Sequence, residues 1–164
     1  MAETRSGDGI GNWLVLAALV VAGDQLSKFA IASSLEHGER LSLAPGWFDL
    51  TLVYNTGAAF SFLAGAGGWQ RWLFVGIGLA AVALIVWMLI RHPGQRLFSF
   101  ALSLIRGGAI GNLIDRLVYG KVLDFLLVYR DPWYWPAFNI ADSAISIGAV
   151  LLIADELRRA RRAR

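Results

Sequence analysis

The stretch Trp72–Ile90, WLFVGIGLAAVALIVWMLI, holds neither a charge nor a proline. A helix needs about 20 mostly apolar residues to cross the hydrocarbon core of a bilayer. With its flank from Trp69, the stretch predicts such a helix over 69–90. Working outward, the same criterion predicts three further spans, over 13–33, 97–118 and 137–154. Each of these carries ionisable residues, which weaken it as a span and mark it as a place for function. The composition agrees. Hydrophobic residues make up 57% of the 164, charged residues only 16%, and mean hydropathy is +0.56. Soluble domains carry about 25% charged residues, so the chain lacks the polar surface of a soluble globule. Its apolar content excludes disorder, and 18 glycines exclude a long soluble coiled coil. The length allows one domain, taken as a single integral membrane unit over 1–164.

The run from Trp13 to Gly23 has the length of a signal-peptide core. However, Arg5 is the only positive charge near it, and the apolar pattern resumes after Asp24 and Lys28. A retained span is expected. Charge sets the sidedness. Arg91 and Arg96 lie between the second and third spans, and Arg158, Arg159, Arg161, Arg162 and Arg164 follow the fourth. On the opposite side, Arg40, Arg71, Lys121 and Arg130 are offset by Glu36, Glu39, Asp49 and Asp131. The positive-inside rule places both termini in the cytoplasm. The arginine-rich tail reads as topology and lipid contact, not nucleic-acid binding.

Two segments then fall on the outer side. In the first, Leu41–Phe62, Phe48, Leu50, Leu52 and Tyr54 alternate with Trp47, Asp49, Thr51 and Val53, the period of a strand. Asn55-Thr56-Gly57 breaks it as a turn, and Gly65–Gly68 forms a flexible joint. A small sheet on the membrane surface is expected. The second segment, Val118–Trp135, has Gly120-Lys121 as a turn and a strand-like apolar run from Val122 to Tyr129. It ends in Trp133-Tyr134-Trp135-Pro136, aromatic residues suited to the headgroup level.

A charge at the bilayer centre costs about 2.5–3.5 kcal/mol on insertion scales, so charged residues inside spans need a partner or a task. Asp24 and Lys28 sit one helical turn apart in the favourable order, either as a self-neutralising pair or as part of a buried polar network. Gly107, Gly108 and Gly111 allow a second helix or a substrate close to the backbone. Asn112, Asp115 and Arg116 share one face. Arg106 has no acidic residue three or four positions away, so it either snorkels or pairs with another helix. Asp124 interrupts an apolar run, and Asp142 stands near the outer end of the fourth span with Asn139 three positions earlier. If the third and fourth spans pack together, both carboxylates reach the outer face.

Cysteine is absent, and His37 and His92 are the only histidines. This leaves no thiolate nucleophile and no H-E-x-x-H zinc site, and it disfavours Ser-His chemistry. Two close aspartates offer another route. They cannot both ionise, so one keeps a proton near neutral pH. The ionised member can take a proton from water while the other donates to a peptide carbonyl. Neither a metal nor a cofactor is called for.

Several sequence blocks, in order and over about residues 13–155, closely resemble bacterial lipoprotein signal peptidase, signal peptidase II. They are Asp24-Gln25-Leu26-Ser27-Lys28, Asn55-Thr56-Gly57-Ala58-Ala59-Phe60-Ser61, Gly107 to Arg116, Val122-Leu123-Asp124-Phe125 and Phe138-Asn139-Ile140-Ala141-Asp142-Ser143. The resemblance implies a mainly α membrane protein with four transmembrane helices, a periplasmic β-cradle and a short outer helix that gates the site. It also implies an aspartyl endopeptidase of the bacterial inner membrane. Its substrate would be a diacylglyceryl-modified prolipoprotein, cut just before the lipid-modified cysteine near the periplasmic face. By motif, Asp124 and Asp142 match the catalytic dyad. Asn112, Arg116 and Asn139 match residues lining the site, and Asn55 and Gly57 match the cradle turn near the substrate. Asp24 and Lys28 match the polar pair on the first helix, and Asp115 falls in the same motif set. Position 106, aliphatic in the family, is Arg here. Nothing in the sequence calls for more than a monomer. The competing readings are a small proton-coupled transporter, whose ionisable groups would spread through the bilayer depth, and a membrane scaffold, which has no use for costly buried polar groups.

Overall fold

The computed structural model describes residues 10–57 and 62–162. Helix α1 spans Ile10–Ser34, strands β1 and β2 span Arg40–Ala44 and Phe48–Asn55, and helices α2 and α3 span Gln70–Arg91 and Arg96–Val118. Strands β3 and β4, Val122–Arg130 and Trp133–Tyr134, then lead to helix α4, Ile140–Arg162. The protein is therefore mainly helical with a small antiparallel sheet. Helices α1, α2 and α3 are long and apolar enough to cross a membrane. Helix α4 does not meet that measure, because Asp142 stands in its first turn and charges crowd the helix from Asp155 onward.

Helix α3 is the hub. It packs against α4, α1 and α2, and its glycines explain how. A Cβ on Gly107 would fall 2.7 Å from the Val20 side chain of α1. A Cβ on Gly108 would fall 2.3 Å from the Ala141 carbonyl oxygen of α4, and one on Gly111 2.6 Å from the Asp24 carboxylate. The three glycines thus admit helices. Gly148 of α4 returns the contact, lying against Ala101 and Ile105. Ile85, Leu89 and Leu102 form an apolar cluster with Phe98, Ile105 and Leu152.

The sheet has the order β1-β2-β3-β4, each neighbouring pair antiparallel. Where the alternation predicts one strand over 47–54, β1 and β2 form a hairpin, turning at Pro45-Gly46-Trp47 with Gly46 at φ 81°. The alternation in β2 holds over Phe48–Thr51, but its polar members are the more deeply buried. Asp49 accepts a hydrogen bond from the Tyr129 hydroxyl (3.2 Å), and Thr51 donates to the Glu39 carbonyl (2.8 Å). Phe48 and Leu50 on the other face stay half-buried, and a register shift between Leu50 and Val53 ends the strict period.

Two further expectations change. The short outer helix is not found among the described residues. Val122–Arg130 is a strand, the segment 62–69 is a run of turns, and 58–61 lie outside the described residues. The fourth helix begins at Ile140 instead of 137, because residues 137–139 are held extended against β3. Phe138 pairs there with Leu126.

The α3–α4 seam yields a test. The atom facing Gly108 is backbone and cannot move aside, so Gly108→Ala lowers stability by at least about 1–3 kcal/mol, the usual cost of overpacking. Gly76→Ala on α2, with nothing within 4 Å of the added carbon, leaves stability the same or raises it by up to about 1 kcal/mol. Thermal unfolding in detergent compares the two.

Candidate active site

The first N–H groups of a helix have no acceptor within it, and the start of α4 meets this need from two directions. Asn139 precedes the helix and accepts a bond from the backbone N–H of Asp142 (2.9 Å), while Asp142 Oδ2 accepts from the backbone N–H of Asn139 (3.3 Å). This reciprocal pair is a capping box with Asp in the third position. Asn139 and Asp142 therefore do not share a helical face as the spacing suggests. One caps the other's turn. From α1, Asp24 Oδ1 accepts the N–H of Ala141 at 2.9 Å.

The same asparagine reaches the other acid. The N–H groups of Phe125 and Leu126 both donate to the Phe138 carbonyl, and Phe138 donates back to Leu126. This seats Asn139 against β3, where its Nδ2 donates to Asp124 Oδ1 at 2.7 Å. Asn55, at the end of β2, donates to Asp124 Oδ2 at 3.3 Å. Asn112 of α3 donates to Asp142 Oδ1 at 2.8 Å. The two carboxylates come from different elements, are joined through Asn139, and line one cavity of about 740 Å³.

The cavity is mostly apolar, with Val53, Val122, Phe138 and Ile145 among its walls, and Asn55, Asn112, Arg116, Ser143 and Ser146 among its further polar groups. Arg116 lies over the Phe74 ring and donates to the carbonyls of Asn112 (3.3 Å) and Gly57 (3.0 Å). Gly57 is fixed in turn by its N–H bond to Asn55 Oδ1 at 2.9 Å. A Cβ there would lie 2.3 Å from the Phe62 carbonyl oxygen, so this turn requires glycine.

Beneath the cavity lies a buried charge cluster. Lys28 Nζ contacts Asp24 Oδ2 (2.7 Å), Asp115 Oδ2 (2.8 Å) and Asn112 Oδ1 (3.1 Å). Of the two sequence readings of Asp24 and Lys28, the network is the one realised. Gln25, which the sequence reading left without a role, bridges Asp24, Asp115 and the Gly111 carbonyl. The N-x-x-D cap over 139–142 was a legible signal that reading also missed. Arg106 stands apart from the site. It is buried and donates to the Trp13 carbonyl at 2.8 Å, so it pairs with α1 through backbone and not through an acid. Trp133, Tyr134 and Trp135 are all exposed, and Trp135 also borders the cavity.

Burial, followed by the charge of Asp142, raises the Asp124 carboxyl from 3.8 to about 7. The site therefore retains a proton near neutral pH.

The chain as a whole is similar to known proteins. The family model described as signal peptidase (SPase) II matches residues 16–158. The chain belongs to the signal peptidase II family. It is 58% identical to the lipoprotein signal peptidase of Ralstonia nicotianae, over 98% of this chain and 92% of that one. It is 61% identical to that of Cupriavidus necator, over 92% and 85%. Two solved bacterial membrane enzymes superpose on it. One has a TM-score of 0.87 at 31% identity, covering 95% of this chain and 93% of the other; the second has 0.81 at 33%, covering 91% and 94%. For this signal peptidase II family member, membership extends across the helices and the sheet alike, since the match runs from α1 into α4.

The raised Asp124 has a consequence for stability. The folded state binds its proton more tightly than the unfolded chain does, so the stabilisation is complete below the unfolded value and is lost as pH rises through about 7. Asp124→Asn keeps the shape and cannot ionise. It flattens the pH dependence of the melting temperature between about pH 4 and pH 7 and raises that temperature at about pH 8. Melting curves in detergent across that range check it.

Proposed function

We propose that this chain is an intramembrane aspartyl endopeptidase. It removes signal peptides from diacylglyceryl-modified prolipoproteins, cutting immediately before the lipid-modified cysteine. The observation that carries the reading is the meeting of Asp124 and Asp142 at Asn139 on the wall of one largely apolar cavity, in a chain of this family. The ionised member of the dyad takes a proton from a water held between them, and the water oxygen attacks the scissile carbonyl carbon. The protonated member donates to the carbonyl oxygen. The tetrahedral adduct then collapses: the proton taken from water passes to the departing amine of the cysteine, the C–N bond breaks, and a hydroxyl proton of the adduct returns to the carboxylate that had donated. Arg116, Asn55, Gly57, Asn112 and Asn139 hold the substrate and the dyad in place, and Asp24, Lys28 and Asp115 form the supporting network.

The proposal includes four transmembrane helices in a single unit over 1–164, multi-pass in the bacterial inner membrane, working as a monomer in contact with lipid. Helix α4 as the fourth span is supported by its exposed stripe Ile147, Val150, Ile153 and Leu157. Both termini lie in the cytoplasm, and the dyad and the β-sheet lie near the periplasmic face. A proton-coupled transporter fits less well. Asp24, Lys28, Asp115 and Asp124 gather around Asn112 and Asn139, and the buried Arg106 stands apart from them on the Trp13 carbonyl, whereas a relay needs a connected series of ionisable groups along the depth of the bundle.

Asp124→Asn and Asp142→Asn each lower cleavage of a lipidated precursor by at least about 100-fold while the protein stays folded and inserted. Mass spectrometry of the precursor and product reads this, and retained cleavage by either variant removes the dyad assignment. The active enzyme needs the shared proton, so cleavage also falls as pH rises beyond about 7. An activity that keeps rising through pH 9 contradicts this.

A further inference from the structure

The terminal amide of an asparagine has two ends of similar size and opposite chemistry, and its neighbours decide which end points where. For Asn112 the decision is made by Lys28. The lysine is 4% exposed; it donates to Asp24 Oδ2 and to Asn112 Oδ1, and its ammonium forms an ion pair with Asp115 at 2.8 Å. Asn139 Nδ2 also donates to Asn112 Oδ1, at 3.2 Å. Turning the amide over would direct its NH2 at an ammonium and at a second N–H donor. The oxygen is therefore held inward, and Nδ2 faces Asp142 Oδ1 at 2.8 Å.

We infer that Lys28 is a positioning residue for Asp142, acting through Asn112: the ammonium holds the amide so that a donor always faces the catalytic carboxylate. The ion pairs with Asp24 and Asp115 balance charge, whereas the bond to Asn112 connects this buried trio to the dyad. The other charged groups around Asp142 are Asp24 on α1, Asp115 and Arg116 on α3, and Asp124 on β3. Of the two cations, Lys28 contacts the side chain of Asn112, whereas Arg116 reaches its backbone carbonyl. The inference rests on the aspartyl peptidase reading and adds a role to a residue outside the cavity wall.

Lys28→Met alone leaves two buried carboxylates without a cation and endangers folding. The test therefore uses Lys28→Met combined with Asp115→Asn, which leaves the formal charge of the Asp24–Lys28–Asp115 trio unchanged. With the melting temperature as the folding control, kcat on a lipidated precursor falls about 100-fold, as expected for a misplaced catalytic group, and KM stays close to that of the parent. The acidic limb of the kcat–pH profile moves to higher pH, because the dyad's ionised member has lost its obligatory donor. A folded double variant with parental kcat overturns the inference. So does one whose kcat falls while the acidic limb stays in place, which marks a purely structural role. The parent enzyme and Asp142→Asn are measured alongside. A parent that fails to cleave the precursor refutes the peptidase reading itself, an outcome distinct from a parent that cleaves and a double variant that behaves identically.

Discussion

The first turn of α4 imposes the constraint from which the site follows. Its backbone N–H groups lie where protein, not water, must supply the acceptors, and an unsatisfied buried donor costs about 1–3 kcal/mol. Asn139 takes one N–H and Asp24 another. For Asp24 to reach Ala141, α1 must approach α3 and α4 closely, which Gly111 permits by having no side chain in the path. Once buried, the Asp24 carboxylate requires a cation, and Lys28 stands one turn away. The lysine then engages Asp115 and Asn112, and Asn112 and Asn139 carry the network to the two acids. Capping a helix and assembling a reactive dyad are here one hydrogen-bonded structure.

The arrangement separates two kinds of carboxylate by their company. Asp24 and Asp115 share an ammonium and Gln25, and they serve as fixed anchors. Asp124 is buried on an apolar cavity wall with neutral amide donors, and the nearby charge of Asp142 has the same sign, so its carboxyl is pushed up to about 7. The difference lies in the surroundings, since the side chains are identical. A proton shared at neutral pH is what a metal-free hydrolysis through paired acids needs.

The sheet supplies the second half of the site. Strand β3 carries Asp124, the end of β2 carries Asn55, and the lead-in to α4 is held extended against β3, so that three chain segments distant in sequence meet at one cavity mouth. The largely apolar walls of the cavity suit an apolar ligand. Arg116, placed over Phe74 and bonded to the Gly57 carbonyl, ties the outer turn to the hub helix.

Local properties of the chain were readable without coordinates. Apolar runs long enough to span a bilayer, the strand-like segments on either side of α2 and α3, the glycine cluster of α3, and the polar residues Asp24, Lys28, Asn112, Asp115, Arg116, Asp124, Asn139 and Asp142 stand out in the sequence itself, because hydropathy, period and motif spacing are written in consecutive residues; Gln25 does not. The hairpin at Pro45–Trp47, the inward-facing Asp49 and Thr51, and the position of Asn139 outside the helix were settled by neighbours far along the chain: Tyr129, the Glu39 carbonyl and Leu126. Arg106 likewise found its acceptor, the Trp13 carbonyl, only through helix packing. Which side of Asn112 faces Asp142, and that Lys28 chooses it, depends on three helices and a strand lying against one another. A hydrogen bond between residues 84 or 30 positions apart has no local signature, since its geometry exists only after the chain has closed around it.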